Sequence, residues 1–112
     1  MTQGRQKQQA SSTVISVRVD EGVLEEIERI LSFKFRTPIS RETFVRMILY
    51  GDEAPVSEKV CSGALVRIDF RLAQPSVIEL NGRIGEDGNR SNYLRDILLG
   101  KEPPLSPLEE DL

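Results

Sequence analysis

Two short segments of this 112-residue chain carry arginine, aspartate and serine side chains that could donate or accept hydrogen bonds. Apolar and polar residues alternate along both segments, so each would form a strand with one apolar face and one free face. Arginine can donate two hydrogen bonds to guanine, aspartate can accept one from cytosine, and serine can do either. The free faces carry Val14, Ser16, Arg18, Arg67, Asp69 and Arg71.

A second set of polar side chains lies where two helices are predicted to begin. Helix N-termini present free N–H groups and a partial positive charge, which suit a phosphate. The candidate phosphate ligands are Ser40, Arg41, Thr43, Asn89, Arg90, Ser91 and Asn92. Ordinary helix capping explains the same residue types. Contacts of this kind would orient the protein on DNA without specifying a sequence.

Both sets recur because residues 13–51 and 64–100 are two versions of one pattern. Val17-Arg18-Val19 aligns with Phe70-Arg71-Leu72 at an offset of 53, and Phe44-Val45-Arg46 aligns with Tyr93-Leu94-Arg95 at an offset of 49. Each copy runs from an alternating segment through two helical segments to a glycine. A single copy is too small to bury a core, whereas two copies can bury one between them.

The elements of each copy follow from local signals. Alternation predicts strands at 13–19 and 66–72, and the inward faces would carry Ile15, Val17, Val19, Val66, Ile68, Phe70 and Leu72. Asp20, Ser40 and Asn89 are suitable N-caps, and Pro75 suits the first turn of a helix. Gly51 and Gly100 are expected to end the second helix of each copy.

The remaining segments are predicted to lack regular structure. Residues 1–12 are polar and rich in glutamine, which favours a flexible arm. Residues 52–63 contain Pro55 and Gly63 and are interpreted as a loop that links the copies. Residues 101–112 contain three prolines and four acids, which predicts a disordered acidic tail that could dock a protein partner.

Composition excludes several kinds of chemistry. The chain has no histidine, which removes His-based acid–base chemistry and His metal sites, and one cysteine cannot build a thiolate zinc site. We therefore expect neither an enzyme nor a cofactor. The single Cys61 suits a reducing cytoplasm, and neither a secretory signal nor an apolar run long enough for a membrane span is found.

The net charge of −3 is only a weak argument against a nucleic-acid partner. The last 11 residues hold four acids and no cation, so the rest of the chain carries a net charge of +1. Local charge decides DNA binding more than the total does.

A strand followed by two helices with a proline- or glycine-containing break resembles the ribbon–helix–helix family of DNA-binding proteins. The resemblance covers both copies, and it implies that two strands pair into an antiparallel ribbon that enters the DNA major groove. It further implies that four helices form the core and that the starts of the second helices clamp the DNA backbone. The expected fold is mainly α with a short two-stranded antiparallel β-ribbon. Two copies in one chain resemble a covalent pseudo-dimer, an arrangement found among accessory proteins of conjugative DNA processing.

Three hypotheses for function remain open. The first is a transcriptional repressor that binds a specific double-stranded DNA site, with self-association on DNA implied by the resemblance. The second is an accessory factor of a conjugative relaxosome at an origin of transfer. The third is a protein-binding module, such as an antitoxin or adaptor, that has lost DNA binding. Because the two strands differ, a DNA site is expected to be asymmetric.

Overall fold

The computed structural model describes residues 12–107 as four α-helices and a two-stranded antiparallel sheet. The elements are β1 (Ser12–Asp20), α1 (Glu21–Lys34), α2 (Arg41–Leu49), a 3-10 helix (Glu58–Val60), β2 (Leu65–Ala73), α3 (Gln74–Ile84) and α4 (Arg90–Leu98). Ser12, predicted to lie in the flexible arm, opens β1. The rest of that arm and residues 108–112 lie outside the described residues. None of the helices within the described range is long and apolar enough to cross a membrane.

The two strands pair with Ser16 opposite Asp69 at the centre of the ribbon. The predicted alternation is confirmed at six inward positions, all at most 5% exposed, namely Ile15, Val17, Val19, Ile68, Phe70 and Leu72. The prediction is wrong for Val66, which is 37% exposed. Leu65 and Arg67 beside it are exposed as well, so the apolar core does not cover the first residues of β2.

The predicted helix boundaries are confirmed by their caps. Ser40 Oγ accepts from the Thr43 amide at 3.1 Å, and Asn89 Oδ1 accepts from the Asn92 amide at 2.9 Å. Gly51 and Gly100 follow the C-caps of α2 and α4 with φ of +83° and +79°. The paired hydrogen bonds of a Schellman motif form at both ends, since the amides after the C-caps donate back to the last turn. Both second helices therefore begin and end in the same way.

The segments after α2 and α4 cross to the opposite copy. We call residues 52–57 the first arm and residues 101–106 the second arm. The Val56 amide donates to the Leu98 carbonyl at 2.8 Å, and the Leu105 amide donates to the Leu49 carbonyl at 2.7 Å. Both side chains are buried, at 5% and 1% exposure.

This crossing corrects two predictions. The linker is not a plain loop, because the first arm packs through Val56 and a 3-10 helix follows it. The expectation of disorder is wrong for residues 101–107, because Leu105 enters the core. The cause is that the repeat continues past Gly51 and Gly100. Residues 53–57 align with 102–106 at the offset of 49, so each copy carries its own arm.

Asp20 joins the end of β1 to the segment that precedes β2. Its carboxylate accepts from the amides of Gly22, Ser62 and Gly63, each at 2.7 Å. The amide of Ser62 lowers the pKa of Asp20 below its usual value, and this effect, with those of the Gly63 and Gly22 amides, outweighs the cost of burial. Asp20 is thus the confirmed cap of α1 and also fixes the entry of the chain into β2.

The close approach of the 3-10 helix to the start of α1 gives a prediction for two glycines. A Cβ at Gly22 would lie 1.8 Å from the carbonyl oxygen of Val60, so Gly22→Ala must displace backbone. We expect a loss of stability of about 1–3 kcal/mol. A Cβ at Gly82, in α3, would meet open space, and Gly82→Ala should stabilise the protein by about 1 kcal/mol. Urea unfolding of both variants checks the pair; a neutral Gly22→Ala would contradict the packing of the 3-10 helix on α1.

Candidate nucleic-acid interface

The outer face of the ribbon carries all six predicted base-reading side chains, and all six are exposed, namely Val14, Ser16, Arg18, Arg67, Asp69 and Arg71. The register places Arg18 opposite Arg67 and Val14 opposite Arg71. Two arginines directly opposite each other repel, which disfavours the free ribbon and favours an anionic ligand. The face therefore gathers three guanidinium groups on one short antiparallel ribbon.

At the centre of this face, one aspartate is held by its neighbours. Ser16 Oγ donates to Asp69 Oδ1 at 2.6 Å, and Arg67 Nε donates to the same oxygen at 3.2 Å. The hydrogen bond from Ser16 and then that from Arg67 lower the pKa of Asp69, so it stays ionised at neutral pH. Since Arg67 offsets its charge, Asp69 opposes the approach of DNA less than an isolated carboxylate would. Together, Arg67 presents a hydrogen-bond donor and Asp69 presents a hydrogen-bond acceptor beside it.

Toward one end of the ribbon, the first strand is fastened to helix α4. The Arg18 amide donates to Ser91 Oγ at 2.9 Å, and Arg95 Nη1 donates to the Arg18 carbonyl at 2.9 Å. Both backbone groups of Arg18 are thus hydrogen-bonded to side chains of α4. These contacts fix the position of Arg18 relative to the start of that helix.

A groove of about 580 Å³ lies between this strand edge and the start of α4. Three arginines line it, Arg18, Arg67 and Arg95, together with Asn89, Ser91 and Asn92. Because the Asn89 cap satisfies the Asn92 amide, the first two amides of α4 remain without intrahelical partners. Three cations beside a helix N-terminus suit a phosphate group.

The matching groove near the start of α2 differs in charge. It has a volume of about 670 Å³ and is lined by Arg46 and Arg71, with Ser12, Thr43 and the carboxylate of Asp52. Glu42 occupies the position that Ser91 holds in the second copy, and it lies 3.5 Å from Arg41. Arg41 also lies 3.6 Å from Glu28. The carboxylates disfavour an anion here.

The predicted phosphate ligands therefore have unequal surroundings. Ser40 and Asn89 serve as N-caps, so the prediction of ordinary helix capping is confirmed for these two residues. A phosphate role for them stays a prediction. Ser91 and Asn92 line the α4 groove, and Thr43 lines the α2 groove. Arg90 donates through Nε to Asn81 at 3.1 Å, and Arg41 pairs with carboxylates. Ser91 and Asn92 thus line a groove with two ribbon arginines, Arg18 and Arg67, whereas Thr43 lines one with Arg71.

Sequence reasoning missed two residues of this surface, Arg46 and Arg95. Both lie one turn into the second helix of a copy and reach the grooves beside the ribbon. The signal was present, because these arginines align with each other at the offset of 49. Without the strands in place, nothing distinguished them from the other cations of the predicted helices.

Comparisons of the chain with family models, with curated proteins and with solved structures found no match.

Proposed function

We infer that the chain is a tandem ribbon–helix–helix protein that binds double-stranded DNA by placing its β-ribbon in the major groove. The observation that carries this inference is the outer ribbon face, with three exposed arginines on an antiparallel pair of strands. About the Ser16–Asp69 centre, residue i of β1 and residue i + 53 of β2 hold equivalent places. Arg18 and Arg71 are equivalent in this sense, as the two halves of a pseudo-dimer would be.

In this proposal the ribbon reads bases from both strands. Arg18 and Arg71 donate to guanine, each toward one end of the ribbon. Arg67 and Asp69 act as a coupled pair, in which the guanidinium donates to guanine and the carboxylate accepts from a neighbouring cytosine. Val14 can contact a thymine methyl group, since it is 53% exposed and apolar. Positions that are equivalent in the two strands carry different residues, so the preferred DNA site is asymmetric.

The grooves beside the ribbon hold the DNA backbone. The α4 groove binds a phosphate through Arg95, Ser91 and the first amides of the helix. The α2 groove binds a phosphate less strongly because the carboxylate of Asp52 lines it. The protein therefore contacts the DNA backbone more strongly on the half of the DNA site that lies next to α4.

The biological role depends on where the DNA site lies. A site that overlaps a promoter makes the protein a repressor, which is our first proposal. The presence of both copies in one chain favours an accessory role at an origin of transfer as the second. A module that binds only protein would have no use for three arginines on the outer face of the ribbon.

Selection of bound fragments from a library of source-genome DNA tests the proposal. We expect enrichment of a short asymmetric site, and its position relative to promoters or nick sites separates the two roles. Footprinting of that site should show stronger protection on one half. Absence of enrichment at low salt, where phosphate contacts alone give measurable binding, would contradict DNA binding.

A further inference from the structure

The second arm lies in a formed site on helix α3. Arg83 donates through Nη1 to the Pro103 carbonyl at 2.7 Å and through Nη2 to the Pro104 carbonyl at 2.8 Å. The guanidinium fork therefore spans two consecutive main-chain carbonyls. Prolines lack an N–H and favour an extended backbone, so their carbonyls are free for such a donor. Arg83 therefore recognises the main-chain conformation of the second arm more than the side chains of that arm.

Glu79 completes the site one turn earlier on the same helix. Its carboxylate accepts from the Ser106 amide at 3.0 Å and from Ser106 Oγ at 3.1 Å. It also pairs with Arg83 at 2.6 Å, and both side chains are about one-quarter exposed. Burial raises the pKa of Glu79, but the hydrogen bonds from Ser106 and Arg83 outweigh it and lower the pKa overall. Glu79 therefore stays ionised and fixes the serine of the arm.

Between these polar contacts, Leu105 supplies the apolar anchor. It is 1% exposed, and its amide donates to the Leu49 carbonyl of α2. Pro104 packs beside Gly51, where an added Cβ would lie 3.3 Å from the proline ring. Four consecutive residues, Pro103 to Ser106, are thus each recognised by a different contact.

The first arm shows that the fold does not require this recognition. By the offset of 53, Glu26 and Ile30 take the places of Glu79 and Arg83. Glu26 pairs with Arg29 at 2.5 Å, and Ser57 caps the 3-10 helix by accepting from the Lys59 amide at 3.2 Å. Val56 is nevertheless buried and hydrogen-bonded to Leu98. The acid is therefore present in both copies, whereas the arginine and the contacts of the acid with the arm occur in the second copy.

We propose that Glu79, Arg83 and the pocket around Leu105 form a peptide-binding site for an extended Pro-Pro-Leu-Ser segment of a partner protein, which the chain's own second arm occupies in the free protein. Such a segment binds at low entropic cost because its prolines are already extended. The tethered arm competes at a millimolar effective concentration, so a partner must displace it. The proposal is independent of DNA binding, since none of these residues lies on the ribbon.

The test uses the full chain and a labelled peptide, Lys-Glu-Pro-Pro-Leu-Ser-Pro, which copies residues 101–107. In Leu105→Asp the arm no longer fills its pocket, and fluorescence anisotropy should show saturable peptide binding. Wild type should bind the peptide at least tenfold more weakly, because its own arm competes. Adding Arg83→Ala to Leu105→Asp should weaken binding at least tenfold, whereas adding Arg29→Ala, a charge-matched change on α1, should leave it unchanged.

A second variant guards against a folding defect. Ser106→Pro keeps Leu105 but removes both donors to Glu79, and it should also bind the peptide more tightly than wild type. Far-UV circular dichroism verifies that each variant is folded. If the variants are folded and neither binds the peptide, the site does not bind peptides. Equal affinity for wild type and the open variants would place the peptide elsewhere and overturn the proposal as well.

Discussion

Replacing Arg18 and Arg71 together with alanine should abolish sequence-specific DNA binding. Each bidentate contact between arginine and guanine contributes about 1–3 kcal/mol of discrimination. Two such contacts correspond to a roughly 30-fold to 20,000-fold loss of affinity for the selected site. Fluorescence anisotropy with a labelled duplex of that site measures the loss. Binding to unrelated DNA should fall far less, because the proposed phosphate contacts of Arg95, Ser91 and the first amides of α4 are unchanged in this variant.

The matched control removes the same charge away from the ribbon. Arg29 is exposed on α1 and pairs with Glu26, and Arg36 is exposed after that helix. Arg29→Ala/Arg36→Ala should weaken specific and nonspecific binding by the same small factor, since it changes only the overall field of the protein. If this control loses as much affinity as the ribbon variant, then net charge controls binding and the ribbon does not read bases.

Salt dependence separates base contacts from phosphate contacts in the same variants. A residue that contacts a phosphate changes the slope of log affinity against log salt by about one, whereas a base contact changes affinity at every salt concentration. The double ribbon variant should therefore keep most of the wild-type slope. A slope reduced by about two would assign Arg18 and Arg71 to the DNA backbone.

The sequence predicted the ribbon and its helices well because each depends on short-range signals. Alternation over seven residues predicted the buried face of each strand at every inward position except Val66. Asp20, Ser40 and Asn89 marked the helix starts through local hydrogen bonds. The N-caps and the glycine stops needed no knowledge of the tertiary fold. The placement of the base-reading candidates followed from the same alternation, although no contact tests their role.

The arms and the ribbon surroundings were not predictable in the same way. Proline-rich, acidic composition indicates disorder only when no partner surface exists, and the surface for Leu105 is created by α2 and α3 after folding. The fastening of Arg18 by Ser91 and Arg95 joins residues more than 70 positions apart. Such contacts leave no local pattern. One signal in the sequence could have predicted the arms. The repeat alignment at the offset of 49 continues past Gly51 and pairs Val56 with Leu105.

The second large effect concerns the second arm. Leu105→Ala should lower the free energy of unfolding by about 2–5 kcal/mol, the range for removing a fully buried leucine side chain. Leu105 is 1% exposed and belongs to the apolar core, so the substitution leaves a cavity beside α2. Urea unfolding followed by far-UV circular dichroism measures the change. A loss within about 0.5 kcal/mol, typical of surface positions, would mean that the arm does not pack on the core.

Val56→Ala is the matched substitution in the first arm, and it should cost less, about 1–2 kcal/mol, because fewer methyl groups leave the core. Leu105 packs against the last turn of α2 and lines neither ribbon groove, although the α2 groove extends as far as Tyr50 and Asp52. Folded Leu105→Ala protein should therefore bind its DNA site with wild-type affinity. A variant that stays folded and still loses specific binding would show that the arm sets the ribbon geometry through α2, so stability and DNA affinity must be measured on the same preparation.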